Sequence, residues 1–557
     1  MMEWIKKYSA KIPLSFIVMA IGVILFIPFL GNVPLFDWDE INFAEAAREM
    51  LLTKNYTQVS INFEPFWEKP PLFIWMQALS MHQFGINEMA ARLPNAICGI
   101  LTLLIIYKIG KRFINQKMAI IWVLLYAGSM LPHMYFKSGI IDPFFNLFIF
   151  LGIYFLSNLS YDLEMYDRKG RNAYKLKSIL LSGLFLGLAI LTKGPVALLL
   201  TIITALVFFV INKYKRIITV YELIIWIVVI ALVSSLWFGF ETYHRGTWFI
   251  KEFIVYQIRL MQTKDAGHGG FLFYHVVVIL FGCFPASAFL LSSFKKNIQE
   301  NENQKQWRWW MLCLFMTVLV VFTLVQTKII HYSSMCYLPL TYLAALRLYY
   351  YIENESKIML MEWVLFGLSG LVWLAILFLV PFAGMHIEWI KPLAIKDVFA
   401  YHNLDAKVYW SFIDYTPFVL AFIGISTAIF FLVKQNKALA VVLLLACNMM
   451  AISLCITLFV PKIEKYSQQS AIAFFEQHAA SEASIEVFGY KSYAHYFYGK
   501  RKLSDKGLNF NKAMESTDKH TYYFVCKLNK ADYFSSKYPV KKLYEKNGFV
   551  FFQKINE

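Results

Sequence analysis

Stretches of about twenty apolar residues recur along this chain from Leu14 to Val460. A helix needs that length to cross the hydrocarbon of a bilayer. Inside hydrocarbon only helices and closed barrels satisfy their own backbone groups. The runs are too long for barrel strands, so the sequence predicts a polytopic α-helical membrane protein. Charged residues make up 16% of the 557 and hydrophobic ones 59%. Soluble domains carry about a quarter charged, so a soluble enzyme is excluded.

About thirteen spans are expected: Leu14–Leu30, Leu93–Tyr107, Met118–His133, Pro143–Leu159, Ser178–Leu191, Pro195–Ile211, Tyr221–Phe240, Tyr274–Phe294, Trp309–Val325, Tyr332–Tyr350, Met359–Phe382, Tyr415–Val433 and Ala438–Val460. The net charge of +17 sits in short loops between them, such as Lys108–Arg112 and Lys434–Lys437. The positive-inside rule accounts for that placement without a nucleic-acid partner. Lys6, Lys7 and Lys11 put the N-terminus in the cytoplasm, and no small-residue cleavage pattern follows the first run, so that span is expected to be retained. An odd number of crossings puts the tail outside. Residues 1–460 then form the membrane domain, and the polar segment 461–557 a small α/β domain, with strand-like runs at Ile485–Gly489, Tyr522–Val525 and Phe549–Gln553.

The first outer loop is the most informative polar stretch. It reads FDWDEINFAEAAREM from Phe36 and EPFWEKPPL from Glu64. Ile41–Leu52 sets Phe43, Ala47, Met50 and Leu51 against Glu45, Arg48 and Glu49, the pattern of a helix lying in the interface. Leu72–Phe84, after Pro70-Pro71, suits a second. Ionisable groups gather at each outer turn: Asp39, Glu40, Glu68 and Lys69, then Lys137 and Asp142, Lys193, Arg259 and His268, and finally Lys328, His331 and Tyr332.

Each group has a bland reading on its own. The Asp37–Glu40 run can cap a helix, with Asp37 as the cap. Asp142-Pro143 can open one. Lys193 can snorkel. Their gathering on one side of the membrane points to a site, because ionisable groups at membrane depth are costly. Cations mixed with carboxylates suit a phosphate-bearing lipid substrate and a hydroxyl nucleophile. No Walker A, GxSxG or HExxH motif is present, so no nucleotide is expected.

Asp39-Glu40, Glu68-Lys69-Pro70-Pro71-Leu72, Asp142-Pro143, Gly187-Leu188-Ala189 with Leu191–Pro195, and Lys328 with Tyr332 follow one another in a familiar order. On these motifs the chain resembles the GT-C glycosyltransferases of the protein O-mannosyltransferase type, and most the bacterial lipid A aminoarabinose transferases. The resemblance implies a multi-pass bacterial inner-membrane enzyme with a periplasmic active site and a polyprenyl-phosphate sugar donor. It implies an inverting transfer to lipid A or another envelope glycan or lipid; a protein hydroxyl is the alternative acceptor. Asp39 and Asp142 match the catalytic carboxylates. Lys69, Lys193 and Tyr332 match phosphate-side groups, to which Lys328 and Arg259 are added. Glu68 and His268 match a divalent-cation site, and Glu40 a cavity carboxylate. Gly269 and Gly270 follow His268 where relatives carry a basic residue, and Arg259 is the substitute. A flippase of lipid-linked sugars is the rival reading. It predicts paired repeats and broken spans, which the sequence lacks.

Overall fold

The computed structural model describes residues 13–37, 39–161, 168–215, 217–263, 269–290, 300–354 and 356–555. Helices α1 (Leu14–Phe26), α2 (Asp39–Thr53), α3 (Leu72–Phe84) and α4 (Glu88–Phe113) come first. A short hairpin, β1 (Ser60–Ile61) with β2 (Glu64–Pro65), lies between α2 and α3. Then follow α5 (Gln116–Ala127), α6 (Met130–Tyr135), α7 (Asp142–Ser157), α8 (Arg168–Lys193), α9 (Val196–Ile211), α10 (Val220–Arg245), α11 (Trp248–Gln262), α12 (Tyr274–Gly282), α13 (Glu302–Leu324) and α14 (Tyr337–Ile352). The last membrane helices are α15 (Leu360–Met385), α18 (Thr416–Val433) and α19 (Lys437–Lys465), with short α16 (Ile387–Ile390) and α17 (Val398–Asn403) between the first two.

Among the described residues, eight helices are long and apolar enough to cross a membrane. Of the others, Pro195–Ile211 is matched by the shorter α9, and the rest are interrupted or shortened. Expected span Leu14–Leu30 ends its helix at Phe26, just before Pro28. Expected span Met118–His133 divides at Gly128-Ser129 into α5 and α6. Expected span Tyr332–Tyr350 begins as a 3-10 turn, Ile330–Cys336, before α14. Lys295-Lys296 and the N-terminal lysines lie outside the described residues.

The tail builds a four-stranded sheet of order β3-β4-β6-β5 from β3 (Ser484–Phe488), β4 (Tyr522–Lys527), β5 (Val540–Lys546) and β6 (Phe549–Lys554). β3 runs parallel to β4, and the other pairs are antiparallel. Three strands match the sequence reading. β5 escapes it because VKKLYEK is an exposed edge strand without apolar alternation. Helices α20 (Gln469–His478), α21 (Ala494–Tyr498), α22 (Phe510–Glu515) and α23 (Leu528–Lys537) complete the unit. α19 runs unbroken through the expected 460/461 boundary to Lys465.

One expectation for α2 fails. Glu45, Arg48 and Glu49 do not face water; they are as buried as Phe43 and Met50. Arg48 donates to both Glu45 oxygens at 2.7 Å and to the Arg501 carbonyl at 3.0 Å. Glu49 accepts from Ser60 Oγ at 2.7 Å and Phe63 N–H at 2.9 Å. Burial and the neighbouring Glu45 push the Glu49 carboxyl upward. The polar stripe is covered by hairpin and tail, so protein takes the place of water.

Candidate active site

A cavity of about 710 Å³ opens between α2, α7, α8, α11 and the turn before α14. Asp39, Glu68, Lys69, Asp142, Lys193, His331 and Tyr332 line it, as does Glu40. Val196, Leu199, Leu200, Val321 and Phe322 make part of the wall apolar. The outer turns, far apart in sequence, therefore do converge.

Asp39 is the first residue of α2. Its carboxylate faces His331, Oδ2 to Nε2 at 3.5 Å, and stays 31% exposed while His331 is 16% exposed. The more open partner is thus the carboxylate, the group a substrate can reach. Burial pushes the His331 ring below the ordinary histidine value. Asp142 and Asp39 pull it back up, and Lys193 and Lys69 oppose them. The imidazole is therefore neutral near pH 7.

Lys193 ends α8. Its Nζ donates to Asp142 Oδ1 at 2.6 Å and lies 5.5 Å from the Tyr332 ring centroid and 5.6 Å from that of Phe145. Gly194 makes this corner possible. Its φ is +92°, and a Cβ there would stand 2.3 Å from the Phe253 ring. Pro143 in the first turn of α7 fixes the other side, so Asp142 enters the cavity at a helix start. Asp142, expected to share the catalytic role, is paired here with Lys193.

Lys69 stands 5.0 Å from the Tyr256 ring centroid, and the Arg259 guanidinium lies 5.1 Å from the same ring. Tyr256 had no place in the sequence reading, yet it links the two cations. Tyr256 lies on the cavity wall; Arg259 is exposed beside it.

One expected role needs correction, and the expected cavity position of Glu40 comes with a second job. Lys328 does not face the cavity. Buried, its Nζ donates to the carbonyls of Phe322 at 3.1 Å and Thr323 at 2.6 Å, capping the C-terminal end of α13. A cation there satisfies orphan carbonyls and the helix dipole. Glu40 lines the wall, but its carboxylate is fully engaged inside the protein. Oε2 accepts from Arg92 Nη2 at 2.7 Å and Phe36 N–H at 2.8 Å; Oε1 accepts from Arg92 Nε at 3.1 Å and from Gly139 N–H. Glu40, rather than Asp37, holds the start of α2. Asp37 instead faces the Ser492 hydroxyl and the Tyr493 backbone N–H.

Arg92 is the largest omission of the sequence reading. It also donates to the carbonyls of Leu30, Val33 and Pro34 at 2.7–2.9 Å. A lone arginine at the end of a span that the sequence reading places outside runs against the positive-inside rule. That was the available signal that it needs a carboxylate.

His268, with Lys264 and Asp265, lies outside the described residues. Glu68 is on the cavity wall, but among the described residues no three His, Cys, Asp or Glu side chains group as a metal site. The described residues alone do not fit a closed cation site, and no step of the chemistry is assigned to a metal.

A family model described as dolichyl-phosphate-mannose-protein mannosyltransferase matches residues 68–238. The undecaprenyl phosphate-alpha-4-amino-4-deoxy-L-arabinose arabinosyl transferase of Shewanella sediminis is 25% identical over 362 residues, 63% of this chain and 62% of that protein. The protein of the same name from Pseudomonas aeruginosa is 27% identical over 332 residues, 59% of this chain and 58% of that one. The chain thus spans about three fifths of the length of the curated relatives it matches. The crystal structure of ArnT from Cupriavidus metallidurans bound to undecaprenyl phosphate superposes with a TM-score of 0.76 at 14% identity, over 97% of this chain and 98% of that one. The apo structure of ArnT from the same organism gives 0.77 at 15%, over 98% and 99%. The chain has the fold of these proteins, the GT-C type that its motifs resemble.

Proposed function

We propose that this chain is an inverting glycosyltransferase that moves a sugar from a polyprenyl-phosphate donor to an envelope acceptor, lipid A or another glycan or lipid, at the periplasmic face of the bacterial inner membrane. One observation carries the reading: a single cavity holds an open carboxylate, Asp39, and two lysines, Lys69 and Lys193, beside an apolar wall. The donor named for the relatives, a sugar on undecaprenyl phosphate, has the matching parts.

The thirteen-crossing topology goes with this proposal. Eight long helices and the three shorter apolar helices α1, α5 and α9 support eleven crossings, and the segments around α12 and α14 would bring the number to thirteen. The basic inner turns then lie in the cytoplasm, and the cavity and C-terminal unit in the periplasm.

In the proposed step the acceptor oxygen attacks the anomeric carbon from the face opposite the phosphate. The new carbon–oxygen bond forms as the bond to the phosphate oxygen breaks, so the configuration inverts. Asp39 takes the acceptor proton, and neutral His331 holds the carboxylate at the attacking side. The departing lipid phosphate keeps the bonding electrons, and its charge falls to Lys69 and Lys193. No nucleotide enters.

The test is sugar transfer in proteoliposomes with a polyprenyl-phosphate sugar, an envelope lipid acceptor and no ion gradient. A product of inverted configuration is expected. Translocation of the donor without transfer would overturn the assignment in favour of a flippase.

Two narrower outcomes follow from the cavity. Lys69→Ala is expected to raise the donor KM by roughly tenfold or more, since a charge-assisted contact contributes about 1.5–3 kcal/mol. Thermal unfolding should hardly move, because among the described residues Lys69 is held only by its contact with the Tyr256 ring. Binding isotherms with the sugar-free lipid phosphate would check it, and unchanged affinity would remove Lys69 from the phosphate.

The second concerns pH. Protonated His331 would pair with Asp39 and weaken it as a base, so turnover should fall as pH drops through the His331 value. Burial places that limb below the ordinary histidine value of about 6.5. In His331→Gln the limb should move into the carboxylate range. An identical kcat/KM profile for both proteins would dismiss the histidine.

A further inference from the structure

The stretch from the end of α1 to Asp37 has no regular secondary structure, yet its backbone is fastened at Leu30, Val33, Pro34, Leu35 and Phe36. Arg92 takes the carbonyls of Leu30, Val33 and Pro34, and Glu40 takes the Phe36 N–H. The rest of the grip comes from the far end of the chain. Tyr498 Oη accepts from the buried Leu35 N–H at 2.7 Å, and Gln468 Nε2 donates to the Leu35 carbonyl at 2.8 Å. Both polar groups of Leu35 are thus satisfied by residues more than 430 positions away. Asp37, two residues before Asp39, faces the Ser492 hydroxyl and the Tyr493 N–H.

A second seam runs alongside. Arg48 donates to the Arg501 carbonyl at 3.0 Å. Arg501 Nε donates to Asn62 Oδ1 at 3.1 Å, and Asn62 Nδ2 to the Leu508 carbonyl at 2.7 Å. Arg501 is itself locked to Glu486 at 2.6 Å, both nearly fully buried. A surface domain tethered by a linker would not place buried hydrogen bonds on the backbone of another unit's loop.

We propose that the C-terminal unit is a positioning element for Asp39: Gln468, Ser492 and Tyr498 hold residues 35–37 so that the carboxylate opens α2 facing His331. These three are positioning residues, since none touches a reacting atom. The hydrogen bonds on Leu35 fix the loop just before the helix starts, and the Asp37 carboxyl lies beside Ser492 next to them. An error of about 1 Å at a reacting group costs on the order of a hundredfold in rate, so the tail acts on turnover without contributing to the chemistry. The inference rests on the transferase reading of the cavity.

The experiment compares full-length wild type, Ser492→Ala, Tyr498→Phe and the double variant in proteoliposomes by two readouts. The first, hydrogen exchange of peptides covering residues 30–39, needs no activity; faster exchange is expected in the variants with the rest of the bundle unchanged. The second is kinetic. kcat per folded molecule is expected to fall roughly ten- to a hundredfold in the double variant with the donor KM held, the acid limb of the pH profile is expected to shift, and Ser492→Thr to restore most of the Ser492→Ala loss. Ser492→Ala alone serves if Tyr498→Phe does not fold. Unchanged exchange at residues 30–39 overturns the proposal, and so does faster exchange with full kcat. A wild-type protein that transfers no sugar would instead sink the transferase reading, while the exchange measurement still decides whether the tail orders the loop.

Discussion

Asp39→Asn is expected to lower sugar transfer by roughly 10²–10⁴-fold, the range for loss of a positioned general base, and to leave a folded, inserted protein. Both halves follow from where the residue sits. Asp39 opens α2, but the bond that ties the Phe36 N–H to the helix start comes from Glu40. Its described partner is His331 at 3.5 Å, a long and partly open contact. An amide fits that space and cannot take a proton. Initial rates in proteoliposomes at equal amounts of folded protein would check the first half, and thermal unfolding in detergent the second. Near-normal turnover by this variant would return Asp39 to the role of a surface residue and leave the cavity without a base.

Arg92→Ala is expected to have the largest effect on stability. The residue is 3% exposed, its carboxylate partner is 1% exposed, and it donates five hydrogen bonds to Glu40 and three carbonyls. Removing one member of a buried pair leaves the other charge uncompensated, a loss of about 3–5 kcal/mol. Glu40 would keep two backbone donors, Phe36 and Gly139, which are too few for a buried carboxylate. Thermal unfolding should show a lowered midpoint, and activity should fall with it because α2 loses its start. Arg92→Lys should recover only part, since an ammonium cannot reproduce the planar fork that spans Glu40 and the loop carbonyls. A variant as stable as wild type would mean that the loop is held from the tail side alone.

The sequence made the membrane class legible because hydrocarbon thickness imposes a length that composition reveals. α3 falls on the expected Leu72–Phe84, where Pro70-Pro71 marks its beginning and Gly85, at a positive φ of 82°, its end. The convergence of Asp39, Lys69, Asp142 and Lys193 was also legible, from topology and motif order together. What the sequence withheld was pairing. Nothing in the letters says that Lys193 answers Asp142, that Lys328 turns back onto α13, or that Arg92 reaches Glu40 across 52 positions. These are choices among several cations and several carboxylates, settled by packing. The burial of Glu45, Arg48 and Glu49 was hidden for a related reason. A polar stripe records that its neighbour is not lipid, and a tail domain meets that description as well as water does.

The Asp142–Lys193 pair also sets a threshold for entry. A lysine already matched by a carboxylate at 2.6 Å presents little net charge to an arriving anion. Free phosphate would exchange one partner for another and gain little. A phosphate carried on a lipid brings a chain along the wall of Val196, Leu199 and Leu200, where each buried methylene contributes about 0.8 kcal/mol. Selection between the two ligands therefore resides in the hydrocarbon tail.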